Sequence, residues 1–161
     1  MLTRRRILRS ASILAALPLL PNLARSAFAA SGKVVHTDDE WQKLLTADQY
    51  QVLRHEATER PFTSALLEEH REGTFTCAGC DLPLFSSKTK FDSGTGWPSF
   101  WAPLKDAVSQ KEDSSFGMLR NAVECARCDG HLGHVFDDGP APTGLRYCMN
   151  GVALKFTAAA A

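Results

Sequence analysis

The chain has 161 residues, 18 basic and 18 acidic side chains and no net formal charge. That length suits one domain with a real hydrophobic core, and 44% apolar with 22% charged residues excludes wholesale disorder. Zero net charge argues against a nucleic-acid binder working through a basic surface, and five cysteines, an odd number, leave one thiol outside any fully paired disulfide framework.

In chain order, residues 1–30 read as an export signal and not as part of the fold. Arg4, Arg5, Arg6, Arg9 and Arg25 come with no acidic residue. The apolar stretch 11–20, interrupted by Pro18, is about ten residues long, whereas a bilayer span needs roughly 20. Ser26-Ala27-Phe28-Ala29-Ala30 carries the small residues of an A-x-A cleavage site. Arginines just before a weakly apolar segment resemble a twin-arginine signal more than a plain Sec signal. Cleavage after about Ala29 leaves 13 basic and 18 acidic side chains, a net charge of −5. The mature chain is then an acidic soluble domain, exported to the bacterial periplasm or the cell exterior, with no other stretch able to cross a membrane.

Residues 31–74 read as helical. Thr37-Asp38-Asp39-Glu40 fits a capping box, and Trp41, Leu44 and Leu45 follow at helical spacing. Thr46-Ala47-Asp48-Gln49 repeats the pattern ahead of Tyr50, Leu53 and Ala57, and Arg60-Pro61 is expected to end that helix. A short third helix is expected over 64–70. Beyond Gly73, short β-branched and aromatic runs at 74–77, 84–85, 107–110, 117–124, 134–136 and 146–156 alternate with glycine, proline and aspartate clusters. The fold class is therefore mainly β: two small antiparallel sheets with short N-terminal helices, in a domain over 31–157, with 158–161 a frayed tail.

Four cysteines form two C-x-x-C pairs, Cys77-Ala78-Gly79-Cys80 and Cys125-Ala126-Arg127-Cys128, separated by 44 residues. Each spacing lets a tight turn aim two thiolates at one point, and two such turns complete a tetrahedral structural zinc site. Gly79 and Gly130 are expected to supply backbone freedom there. Two disulfides are the alternative in an exported protein, and a redox-active pair is a third, although the βαβ context of that motif is absent. Export in the folded state fits a metal bound beforehand.

Cys148, in Arg146-Tyr147-Cys148-Met149-Asn150, then has no partner. Beside an arginine it is a candidate nucleophile, and a buried structural cysteine is the plain alternative. His131-Leu132-Gly133-His134-Val135-Phe136 follows the second cysteine pair and offers proton donors near neutral pH, further metal ligands or merely satisfied polar groups. His36, His55 and His70 are expected at the surface. Gly94-Thr95-Gly96-Trp97-Pro98 presents Trp97 as an aromatic wall for a soft apolar group such as a thioether methyl, while Trp41 and Trp101 read as core.

In combination these motifs, with Ser93-Gly94-Thr95-Gly96-Trp97-Pro98-Ser99-Phe100, resemble the B-type methionine-R-sulfoxide reductases over roughly residues 35–156. The resemblance implies a distal structural zinc on Cys77, Cys80, Cys125 and Cys128 and no organic cofactor. It implies that the Cys148 thiolate attacks the sulfoxide sulfur of methionine sulfoxide in oxidised proteins or peptides. It gives His134, assisted by His131, the proton transfer, places Arg146 and Asn150 beside the thiol, and has Asp138 orient Arg146 or a water. Trp97 and Phe136 are the candidate substrate-binding residues. Many members carry a second, resolving cysteine where this chain has Thr95, so an external thiol, thioredoxin-like or small, is expected to reduce the Cys148 sulfenic acid. The enzyme is expected to be a monomer binding neither nucleic acid nor membrane. A zinc-stabilised exported binding module without catalysis is the competing class, and a C-x-x-C disulfide oxidoreductase is another.

Overall fold

The computed structural model describes residues 32–114 and 119–160. The export signal read in residues 1–30, and Gly117 and Met118 at the start of one expected strand, lie outside them.

Helix α1 (Asp38–Leu44) begins as the sequence predicts: the Thr37 hydroxyl accepts from the Glu40 N–H, and the Glu40 carboxylate takes the Thr37 N–H at 2.7 Å. Helix α2 (Ala47–His55) repeats the device with Thr46 and Gln49. Trp41, Leu45, Tyr50, Val52 and Leu53 are buried, but Leu44, expected on the apolar stripe, faces solvent. α2 also stops well before Pro61. Glu56 turns left-handed (φ 55°), and its N–H and that of Ala57 both return to the Gln51 carbonyl, closing the helix without help from proline. The third helix is a single 3-10 turn, Ala65–Glu68, capped by Ser64. Among the described residues no helix is long and apolar enough to cross a membrane.

Nine strands follow among the described residues: β1 (Gly73–Cys77), β2 (Pro83–Ser86), β3 (Lys90–Phe91), β4 (Ser99–Phe100), β5 (Val108–Asp113), β6 (Arg120–Cys125), β7 (His131–Phe136), β8 (Arg146–Met149) and β9 (Leu154–Ala158). The smaller sheet runs β2-β1-β9 and the larger β3-β4-β8-β7-β6-β5, with antiparallel neighbours throughout. β3 and β4 have two residues each, too few to show an alternating pattern. The single run expected at 146–156 is two strands in different sheets, parted by a 3-10 turn at Gly151–Ala153. Thr157 and Ala158 pair with β1, and the Ala159 N–H bonds the Glu72 carbonyl at 2.8 Å, so the first two residues of the expected frayed tail are held.

The core lies between the sheets. Phe75 and Phe85 of the smaller sheet meet Phe100 of the larger, Phe85 stacked on it at 4.4 Å between centroids and Phe75 edge-on at 4.9 Å. All three rings are fully buried, each contributing about 2–3 kcal/mol of apolar burial. Phe100, Tyr147 and Val135 lie opposite one another on β4, β8 and β7 and are all buried, which identifies the core-facing side of the larger sheet. The other side carries the site.

Candidate active site and metal centre

Cys148 of β8 lies directly opposite Ser99 of β4 and His134 of β7. Side chains opposite one another in an antiparallel pair share a face, with Cβ atoms about 5 Å apart. The thiol and the imidazole therefore project side by side, away from the core. Cys148 is partly exposed and none of the other four cysteines pairs with it.

His131 joins them through an irregularity in the strand. It stands three positions before His134, an odd offset that in a regular strand of period two would put the rings on opposite faces. Here Val123 faces Gly133 while the next residue, Glu124, faces His131, so Leu132 is an extra residue and both histidines emerge on one face. Their ring centroids are 5.3 Å apart. Gly133 lets the bulge lie against β8: a Cβ there would stand 2.2 Å from the Cys148 carbonyl oxygen. His131 is 2% exposed, and neither ring nitrogen has a hydrogen-bond partner among the described residues. Burial, reinforced by neighbouring His134, pushes its pKa down to about 4, so the ring is neutral at neutral pH.

Around the thiol, the Thr95 hydroxyl lies 3.7 Å from the Cys148 sulfur and belongs to a chain of hydroxyls: Ser93 is 2.8 Å from Thr95 and 2.7 Å from the buried Ser99. Arg146 lies within electrostatic reach of the same sulfur. Both carboxylate oxygens of Asp138 accept from its guanidinium at 2.8 Å, and that pairing holds the Asp138 carboxyl below the usual range. The guanidinium also lies 4.4 Å over the Phe136 ring, so Phe136 is in part covered by Arg146.

Trp97 lies midway in sequence between Thr95, which touches the sulfur, and Ser99, which pairs with it. Its ring is half-buried and its Nε1–H donates to the Glu59 carbonyl at 3.1 Å. Glu59 is a residue that sequence reasoning missed. Its N–H donates to Asn150 Oδ1 at 3.0 Å, and its carboxylate takes the N–H groups of Gly151 and Val152. Asn150 also donates to the Leu132 carbonyl at 3.1 Å and is 3% exposed. Its amide thus ties the end of β8, two residues beyond Cys148, to β7 and to Glu59. Asp113 was missed as well; its Oδ2 lies 2.8 Å from His134 Nε2 and accepts from Arg120 at 2.7 Å. No local pattern marks either carboxylate, since their partners are dozens of residues away or on another strand. Of the remaining aromatic and imidazole side chains, Trp41 is core, Trp101 and His36 are half-buried, and His55 and His70 are exposed.

The sulfurs of Cys77, Cys80, Cys125 and Cys128 all lie within 4.8 Å of one another. Cys77–Cys128 is 3.7 Å and Cys80–Cys125 is 3.5 Å, close to the edge of about 3.8 Å that a tetrahedron with 2.3 Å metal–sulfur bonds requires and far from an S–S bond of about 2.05 Å. Packed together, the thiols share their protons unequally: the neighbouring sulfurs raise Cys77 and lower Cys125. Such a set fits a zinc ion, which neutralises the thiolate charge. The two knuckles are alike. Cys77 N–H bonds Leu82 O and Asp81 N–H bonds Cys77 O; Cys125 N–H bonds Gly130 O and Asp129 N–H bonds Cys125 O. The left-handed residues are Asp81 (φ 57°) and Asp129 (φ 54°), so the expected role of Gly79 and Gly130 falls to the aspartates. At Gly130 the need is room, because a Cβ would meet Leu53 at 3.0 Å.

Fold and site together define a two-sheet β protein stapled by a four-cysteine centre and presenting one uncommitted thiol beside a histidine pair. A family model described as the SelR domain matches residues 45–158. The peptide methionine sulfoxide reductases MsrB of Pseudomonas putida strain W619 and of Leptospira interrogans are 58% and 54% identical to this chain, over 77% of it and 94% and 95% of their own lengths. That of Bradyrhizobium diazoefficiens is 55% identical over 76% of this chain and 89% of its own. The chain belongs to this SelR-domain family.

Proposed function

We propose that the chain is a peptide-methionine (R)-S-oxide reductase that returns the R epimer of methionine sulfoxide, chiefly in proteins and peptides, to methionine with Cys148 as nucleophile. The observation that carries this reading is the rung that sets a partly exposed thiol directly opposite His134 on the open face of the larger sheet. The names of the relatives support the substrate class.

In the proposed step the Cys148 thiolate attacks the sulfoxide sulfur while His134 gives a proton to the sulfoxide oxygen. The attack makes a sulfur–sulfur bond that breaks again as the oxygen passes over: the substrate S–O bond is lost, a new S–O bond forms on Cys148, and two electrons pass from the cysteine sulfur to the substrate sulfur. The products are methionine and a Cys148 sulfenic acid. Arg146, held by Asp138, brings positive charge to the sulfur. Neutral His131 backs His134 without competing for charge. Trp97, with its indole N–H anchored on Glu59, receives the methyl group and so selects the epimer, and Phe136 with Arg146 closes the other side. Asn150 acts through the backbone it ties. A zinc ion held by Cys77, Cys80, Cys125 and Cys128 would be structural, stabilising the fold and taking no part in the chemistry.

Thr95 stands where many relatives have a resolving cysteine, and the other four cysteines converge on the metal centre. Two external thiols therefore reduce the sulfenic acid, yielding the Cys148 thiol, their own disulfide and water. Mass spectrometry after one turnover without reductant checks this: Cys148 as sulfenic acid is the expected outcome, and a disulfide from Cys148 to Cys77, Cys80, Cys125 or Cys128 overturns it. Export by a twin-arginine leader belongs to the same proposal, and cell fractionation of the full chain tests it. The deciding assay for the activity is turnover of R and S epimers of an N-acetylated or dabsylated methionine sulfoxide with dithiothreitol. Reduction of the R form alone is expected; failure to reduce it refutes the reading.

A further inference from the structure

We propose that Asp113 is a positioning residue of the site. It accepts from His134 Nε2–H, so that the second, transferable proton of the imidazolium is carried on Nδ1, the nitrogen that meets the sulfoxide oxygen. The inference rests on the reading of His134 as the proton donor.

His134 Nε2 lies 2.8 Å from Asp113 Oδ2, and the two side chains are only 13% and 15% exposed. An ionised carboxylate accepts and never donates, so Nε2 must carry the hydrogen. A second ring nitrogen fixed by such a bond is how proteins choose a histidine tautomer. No hydrogen bond to His134 Nδ1 forms among the described residues, which leaves that nitrogen for a substrate on the open face.

The contact is a product of the sheet. Asp113 ends β5, two strands from β7, roughly 10 Å away at the usual spacing. Between them on the site face stands Ala122, opposite His134 on one side and Lys111 on the other. A methyl group at that position lets the imidazole lean across β6 to the carboxylate; a larger side chain would separate them. Arg120 of β6 donates to the same Oδ2 at 2.7 Å and steadies the carboxylate.

Charge gives the pairing a second consequence. Among the described residues, the titratable and charged groups near the two histidines include Asp113 and Lys111 of β5, Arg120 and Glu124 of β6, Arg146 and Cys148 of β8, and Glu56 beyond α2. Of these, Asp113 is the anion in direct contact with the His134 ring. It sets a carboxylate beside the ring whose Nδ1–H is given to the sulfoxide oxygen.

Long-range proton–nitrogen spectra of the zinc-loaded protein, labelled at histidine, read the tautomer directly. The native protein is expected to show His134 protonated on Nε2, and Asp113→Asn to move the proton to Nδ1 or to mix the two forms. In turnover, Asp113→Asn is expected to lower kcat about 10–100-fold with KM within two-fold. In a His134→Ala background the same change should have no further effect. A native His134 whose neutral ring is protonated on Nδ1 alone, or an equal loss from Asp113→Asn with and without His134, overturns the inference. The native spectrum decides it even where the variant folds poorly. Failure of the native protein to reduce the R epimer would instead refute the proposed activity, and the tautomer would still be read.

Discussion

Lowering the pH from 7.5 to 5 destabilises this protein through His131. The ring is 2% exposed with both nitrogens lacking hydrogen-bond partners among the described residues, and its pKa falls from 6.5 to about 4 on folding. Between those values the unfolded chain binds a proton that the folded chain refuses. Stability is therefore complete above the unfolded value, declines as the pH falls through 6.5, and levels off near 4. At pH 5 the unfolded form gains about 2 kcal/mol from this site, against roughly 0.1 kcal/mol at pH 7.5. With a urea slope of about 2 kcal/mol per molar, the midpoint moves by about 1 M. The assay is urea unfolding of the zinc-loaded protein and of His131→Gln at both pH values. The metal thiolates also protonate in acid, so the quantity that counts is the difference between the two proteins. The native protein should lose about 2 kcal/mol more than the variant; equal losses would refute the buried, neutral assignment of His131.

Glu59→Ala removes two charge-assisted bonds to the Gly151 and Val152 N–H groups and should cost about 3 kcal/mol in urea unfolding; a change below about 0.5 kcal/mol, the size of an ordinary surface substitution, would show that water serves as well. Metal analysis should find one zinc per chain, and stripping it should abolish the cooperative thermal transition, because metal affinity in such sites is folding energy; an unchanged transition temperature would refute a structural role. Thr95→Cys puts a second sulfur where the Thr95 hydroxyl now lies 3.7 Å from Cys148. After one turnover without reductant, mass spectrometry of this variant should find Cys148 in a disulfide with the introduced thiol, in place of the sulfenic acid of the native chain, and persistence of the sulfenic acid would count against the proximity.

Legibility followed the range of the interaction. The two capping boxes were readable because each closes within four residues, as Thr37 with Glu40 and Thr46 with Gln49 do. The end of α2 was not, because the left-handed turn at Glu56 has no glycine to announce it. The four metal cysteines were readable as two knuckles, yet the residues that turn each knuckle are Asp81 and Asp129, in a conformation glycine was expected to supply. The C-terminal run read as one strand because its apolar residues are continuous. It breaks at Gly151 because Glu59, 92 residues away in sequence, takes the N–H that the ladder would have used.

By itself the sequence determined what is local or additive. It set the helix starts, the β-rich remainder, the pairing of four cysteines and the isolation of Cys148. Only the tertiary structure decided which groups stand beside that thiol. Sheet order and register put His134 and Ser99 across from it, an extra residue in β7 turned His131 to the same face, and a small side chain on β6 let Asp113 reach His134. Such neighbours are chosen by the pairing of distant strands, whose register depends on which faces are buried together, and no stretch of the chain contains that choice.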